Sequence, residues 1–212
     1  MTTPEFDIDF CRQLDDLLHW RRDVRHFRPD PVSAELVSSL LKKAMLAPSV
    51  GFSQPWRWVI VESEEKREAV RQEFEKCNIE ALQGYSGEIA SQYSKLKLSG
   101  LQEAPVQVAV FLDGRSGTGK GLGQQTMPET RIWSIVMAIH TLWLAARAVG
   151  LGLGWVSILN PGSMRSLIEV PQDWCFVAYL CIGRPEEEHE KPLLEQVGWE
   201  AKLPYEEVVF RR

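Results

Sequence analysis

Hydrophobic and polar positions alternate along this chain in two rhythms, and the switches between them mark its elements. Residues 10–20 follow a helical rhythm. After Ser33, a good helix cap, Leu36, Val37, Leu40, Leu41, Ala44 and Met45 recur at helical spacing and stop at Ala47-Pro48. The residue before a proline is pushed out of the helical region, so a loop over 48–55 follows. Residues 56–61 alternate and are rich in aromatic and β-branched side chains, which predicts a strand. Charged, helix-prone residues fill 64–83, and a more polar amphipathic stretch covers 87–102. Residues 106–112 form a continuous apolar strand, and a glycine-rich loop runs from Asp113 to Thr126. The segment 129–149 is apolar on most faces, as expected of a helix that is central or lies in a subunit interface. Further strands are expected at 154–159 and 175–182, with a short helix at 162–169 between them. The tail from 183 carries three prolines and few regular signals. Strands interleaved with helices make the class α/β or α+β. The 212 residues fit one domain, with no repeat or low-complexity linker to divide them.

Charge narrows the partners. The net charge is −5, so no basic footprint for nucleic acid exists. The apolar stretch 132–159 contains His140 and Arg147 and is broken by glycines, which suits a core helix and strand rather than a membrane span. The N-terminus is acidic and lacks the apolar region of a signal peptide, so the chain reads as soluble and cytoplasmic. Four cysteines lack CxxC spacing, and Cys175 and Cys181 sit in an apolar run, so buried free thiols are expected. The histidines are scattered and no zinc-ligand spacing occurs.

The densest chemistry lies at 21–28, Arg-Arg-Asp-Val-Arg-His-Phe-Arg, beside Trp20. Guanidinium forks match phosphate bidentately, and a carboxylate among them could move a proton. The competing reading is a solvated, salt-bridged turn. A second segment, Ala47–Trp56, offers short hydroxyls, an amide and close-approach backbone, as either a cofactor edge or a plain helix-to-strand connection. A third, Gly150–Ile158, places Ser157 as a lone hydroxyl in an apolar strand, where it could bond a ligand or a neighbouring carbonyl. Residues 114–121 nearly spell a phosphate-binding P-loop. Gly121 replaces the required hydroxyl, however, and the next helix starts too late. A mobile loop over a site is the better reading.

Together these segments resemble the nitroreductase-like flavoproteins. The resemblance rests on Arg21-Arg22-Asp23-Val24-Arg25, on Pro48-Ser49 with Gln54-Pro55-Trp56, and on Gly183-Arg184-Pro185. Within that family the chain is more similar to an oxygen-dependent, flavin-fragmenting branch. The similarity lies in Ala-Pro-Ser-Val-Gly-Phe, in residues 100–107 and 121–130, and in Gly-Trp-Val-Ser-Ile-Leu-Asn-Pro at 154–161. It implies an α+β fold with a central, mostly antiparallel sheet flanked by helices, in an intertwined homodimer. It also implies reduced FMN as both cofactor and substrate, molecular oxygen as co-substrate, and a separate flavin reductase as the source of reduced FMN. The expected products are 5,6-dimethylbenzimidazole, the lower ligand of cobalamin, and erythrose 4-phosphate. By the same resemblance Asp23 and Ser157 are catalytic, and Arg21, Arg22, Asp23, Val24, Arg25, Ser49, Leu98, Val156 and Arg184 bind the flavin. A lid around 87–102 and an extended tail over 185–212 complete the expected domain, 1–212. Asp23 among arginines should stay ionised unless desolvation wins. The alternatives are an NAD(P)H-dependent nitro- or quinone reductase and a flavin-storage protein.

Overall fold

The computed structural model describes residues 3–95, 100–115 and 117–212. The chain opens with α1 (Ile8–Trp20), capped by Asp7, whose carboxylate accepts the Phe10 N–H at 2.8 Å. Ser33 caps α2 (Ala34–Ala44) by accepting the Leu36 N–H. A single 3-10 turn, Val50–Phe52, leads into β1 (Trp56–Ile60). Then come α3 (Glu64–Leu82), α4 (Gly87–Lys95), α5 (Gly100–Glu103) and β2 (Val106–Asp113). Of the expected helix over 87–102, residues 87–95 and 100–102 are helical, and 96–99 lie outside the described residues. The long helix α6 (Thr130–Arg147) is followed by β3 (Gly152–Val156), α7 (Pro161–Ile168) and β4 (Trp174–Gly183). Asn160 starts α7 by accepting the Gly162 and Ser163 N–H groups, with proline at the first helical position. The tail carries only two short helical turns, α8 (Leu193–Gln196) and α9 (Tyr205–Val208).

The four strands form one sheet in the order β1-β2-β4-β3, and every strand pair is antiparallel. Side chains alternate across it, so one strand feeds two cores. Val106, Val108 and Val110 with Ala178, Leu180 and Ile182 face α2 and α6. Ala109, Phe111, Tyr179 and Cys181 face the opposite layer, built on Val70 of α3 and Met164 of α7. Burial on both faces explains why β2 reads as an unbroken apolar run. Its one polar residue, Gln107, is buried and satisfied. It accepts the Tyr179 hydroxyl at 2.7 Å and donates to the Leu101 carbonyl at 2.9 Å.

The structure corrects several local expectations. β3 starts at Gly152, because Gly152 pairs with Gly183, and it ends at Val156. Ser157 therefore lies just past the strand and is exposed. Cys181 is buried but Cys175 is exposed, since the start of β4 runs out to the half-buried end of the sheet. Helix α6 buries Ile135, Ile139 and Leu142 yet leaves Trp133, Val136 and Met137 open on its other side. No helix among the described residues is long and apolar enough to cross a membrane.

Candidate active site

The arginine segment is laid along the free edge of β3. Asp23 forms a parallel bridge with Leu153, the Val24 N–H donates to the Leu153 carbonyl at 3.1 Å, and Phe27 bridges to Pro185. This contact requires glycine on the strand. A Cβ at Gly154 would stand 2.1 Å from the Val24 carbonyl oxygen, and one at Gly152 would meet the Val24 side chain at 2.5 Å. The glycines at 152 and 154 thus let the basic turn approach the sheet backbone.

The turn walls a groove of about 390 Å³, within the usual range for small-molecule sites. Arg21, Arg22, Arg25 and Arg147 supply its charge, and Trp20 and Trp143 supply flat apolar surface. The Arg21 guanidinium lies 4.8 Å over the Trp143 ring, and the Trp143 indole N–H donates to the Arg22 carbonyl at 2.9 Å. Arg22 donates to the Arg21 and Glu190 carbonyls, while its buried Nε has no hydrogen-bond partner. Burial lowers the Arg22 pKa first, and the neighbouring charges of Arg21 and Arg147 lower it further. Crowded cations with an unsatisfied donor are the electrostatic signature of an anion site. The phosphate of FMN fits that donor set, and its flat ring system fits the aromatic wall.

Asp23 is the carboxylate of the arginine turn on the groove wall. Its carboxylate accepts the Trp155 backbone N–H at 3.0 Å and stands 3.7 Å from the Arg25 Nε. The side chain keeps 39% of its surface accessible, but the packed turn and strand displace much of its hydration. That desolvation raises its pKa despite the Trp155 N–H, Arg25 and Arg21, which all favour the charged form. Desolvation therefore outweighs the Coulomb attraction expected to keep this group ionised. Behind Asp23 a small void is lined by Val156, Gly154 and Cys181. Burial, then the Asp23 charge, pushes the Cys181 thiol up to about 12.

The remaining sequence-predicted residues are distributed unevenly. Val24 lines the groove and Val156 the void behind Asp23. Ser157 follows two residues after Trp155, on the same stretch that Asp23 grips. Arg184 is exposed and is not part of the groove wall; its carbonyl accepts the Arg28 N–H at 2.9 Å. Leu98 lies outside the described residues. Ser49 sits elsewhere. Its hydroxyl accepts the Gln54 N–H, and the next residue, Val50, donates to Ser134 on α6. Ser134 and Trp143 are nine residues apart, about 13 Å along a helix. One chain therefore keeps Ser49 at the far end of α6 from the arginine groove. The glycine-rich loop packs on the Ser49 loop rather than over the groove: Cβ atoms at Gly51 and Gly119 would each stand 2.6 Å from the other loop's carbonyls.

Sequence reasoning missed Trp143, Arg147 and the acidic residues 186–188, all of which line the groove. Only Arg147 left a signal, as the lone lysine or arginine between 132 and 149. Among the described residues no cluster of three or more His, Cys, Asp or Glu is placed to hold a metal ion.

The chain is similar to several known proteins. A curated 5,6-dimethylbenzimidazole synthase of Rhodospirillum rubrum is 55% identical over 204 residues, covering 96% of this chain and 97% of that protein. One of Rhodobacter capsulatus is 48% identical, covering 91% and 93%. An iodotyrosine deiodinase, solved with FMN and 3-iodo-L-tyrosine bound, superposes with a TM-score of 0.72 at 25% identity, covering 93% and 97%. A BluB-like flavoprotein of Clostridium difficile 630 shares the fold with a TM-score of 0.70 at 24% identity, covering 94% and 98%. The model of the nitroreductase family matches residues 18–184, a span that runs from the end of α1 through the arginine turn and the whole sheet to Arg184, so the chain belongs to that family.

Proposed function

We propose that this chain fragments reduced FMN in an oxygen-dependent reaction that yields 5,6-dimethylbenzimidazole and erythrose 4-phosphate, and so supplies the lower ligand of cobalamin. The observation that carries the reading is the Asp23 carboxylate, fixed on the edge of β3 at the wall of a four-arginine groove. The 55% identity to a protein named for this product points the same way.

Bound FMN supplies the electrons that reduce dioxygen and the atoms of both products. The chain's own residues do the rest. Arg21, Arg22 and Arg25 hold the phosphate by charge-assisted forks. Arginine charge also favours the anionic character that develops on a reduced flavin ring. Asp23, ionised, takes a proton from the ribityl chain, as carbon–carbon cleavage in the sugar requires; its raised pKa makes it a better base once deprotonated. Ser157 gives one hydrogen bond to the reacting flavin, Trp20 and Trp143 wall the ring, and Val156 backs Asp23.

The functional unit is a homodimer. The open side of α6, with Trp133, Val136 and Met137, is the surface that a second copy covers. A two-fold pairing along α6 sets the Ser49 loop of one copy beside the arginine groove of the other, which repairs the separation seen within one chain. Residues 1–212 act as one domain, with 87–102 as its lid. At one end of that lid Leu101 is buried in the core, and α4 rests on aromatic and hydrogen-bond contacts. Tyr93 donates to Asn78 at 2.8 Å and stacks on Tyr85, and both rings meet Trp199 of the tail. A separate flavin reductase delivers the reduced flavin.

The test is to mix the protein with reduced FMN without oxygen, admit air, and seek 5,6-dimethylbenzimidazole by chromatography and mass. Product above a no-enzyme control supports the reading. FMN recovered intact, with steady NAD(P)H consumption on nitro or quinone acceptors, would replace it with the reductase alternative.

A further inference from the structure

The arginine groove has a second wall, of opposite charge. After Pro185 the chain runs Glu-Glu-Glu-His-Glu along its mouth, and Glu186, Glu187, Glu188 and His189 all line it. The start of this strap is pinned to the arginine turn, because the Glu186 N–H donates to the His26 carbonyl at 3.1 Å. Its far end is pinned too. The Glu190 carbonyl accepts from Arg22, and the Glu190 carboxylate lies 3.7 Å from His19. Between these points the carboxylates are not equivalent. Glu188 pairs with Arg147 at 2.5 Å. Glu187 reaches only His189, at 3.6 Å, and among the described residues Glu186 forms no ion pair. Among the described residues, then, no lysine or arginine pairs with Glu186 or Glu187, and both add negative charge at the groove mouth.

We propose that Glu186 and Glu187 set the groove's selectivity for a flavin ending in one phosphate, and turn away dinucleotides such as FAD. The inference rests on the flavin reading above. One phosphate, of charge about −1.5 to −2, is met by the arginine wall. In FAD about the same total charge is divided between two diester phosphates, so less of it meets the arginine wall, and the second phosphate and the adenosine would extend toward a mouth lined by Glu186 and Glu187. Repulsion of this kind discriminates between ligands that share the same attractive contacts. Both carboxylates are exposed at the mouth, so the repulsion is screened by salt and is read best at low ionic strength.

The experiment measures binding of oxidised FMN and FAD to the full-length protein by quenching of flavin fluorescence. Three proteins are compared: the wild type, the double variant Glu186→Gln with Glu187→Gln, and the single variant Glu187→Lys. The wild type should prefer FMN by about tenfold or more, and the double variant should narrow that preference about fivefold through tighter FAD binding. Glu187→Lys should narrow it further. A wild type that binds both flavins alike overturns the proposal. So does a preference that stays within about twofold in both variants, or an equal gain for both flavins. Failure of the wild type to bind FMN strikes the flavin reading itself, and this inference with it.

Discussion

The carboxylate of Asp23 accepts the backbone N–H of Trp155 at 3.0 Å, across a bridge that joins a loop after the first helix to a strand some 130 residues later. This bond fixes one oxygen of the carboxylate and leaves the other toward Arg25. An asparagine can keep the accepting oxygen but cannot take up a proton as a base. Asp23→Asn should therefore bind FMN and lose about 10²–10⁴ in benzimidazole formation. Ser157→Ala, at an exposed position past β3, should keep the fold and lose about 10²-fold. Product at the wild-type rate in either variant removes that residue from the chemistry.

The same site makes stability depend on pH in a defined direction. Burial raises the Asp23 pKa, so the folded chain holds this proton more tightly than the unfolded chain. Stability then falls as pH rises from the ordinary carboxylate value through the raised one. Asp23→Asn removes that loss. Its Tm should exceed the wild type's at pH 7, and the gap should close as pH falls below about 4, where both states of the wild type become protonated. Activity should show an acid limb above the ordinary carboxylate range. A Tm difference that grows on acidification would contradict the raised pKa.

Arg21 stacks on Trp143 and, among the described residues, donates no side-chain hydrogen bond, which leaves its donors for a ligand. Arg21→Gln keeps much of the length and removes the charge. FMN binding should weaken about 10–100-fold, with a shallower salt dependence than in the wild type. Titration at two salt concentrations reads both effects. Unchanged affinity would place the phosphate elsewhere.

Gly154→Ala tests whether the turn's position matters. The added methyl would overlap the Val24 carbonyl, and both partners are backbone, so the strand and the turn must separate. We expect a loss of about 2 kcal/mol or more in chemical denaturation and weaker FMN binding. A variant as stable as the wild type would show that the arginine turn does not need this close contact.

Val136→Glu puts a charge on the open apolar side of α6. Light scattering should show a shift from dimer to monomer, and FMN binding should fall together with it, since in the proposed dimer Ser49 of one copy serves the groove of the other. Monomers that bind FMN as well as the wild type would dismiss the shared site.

Much of this protein is written locally in its sequence. The Ser33 cap, the break at Ala47-Pro48, the apolar run of β2 and the arginine turn each depend on neighbours a few residues away, and each was legible. So was the family, because its signature residues sit in short, separate stretches. Where those stretches meet was not legible. Periodicity assigns a residue to a helix face or a strand, but strand register and close packing choose its partners. Only the packed structure started β3 at Gly152, placed Ser157 beyond the strand and exposed Cys175. Only packing stood Trp143 and Arg147 beside the arginines, and drew three glutamates from beyond the last strand to face them. It also decided which way the Asp23 pKa moves. The sequence shows the arginines that favour its charge, but the loss of water that opposes it exists only once turn and strand have closed together.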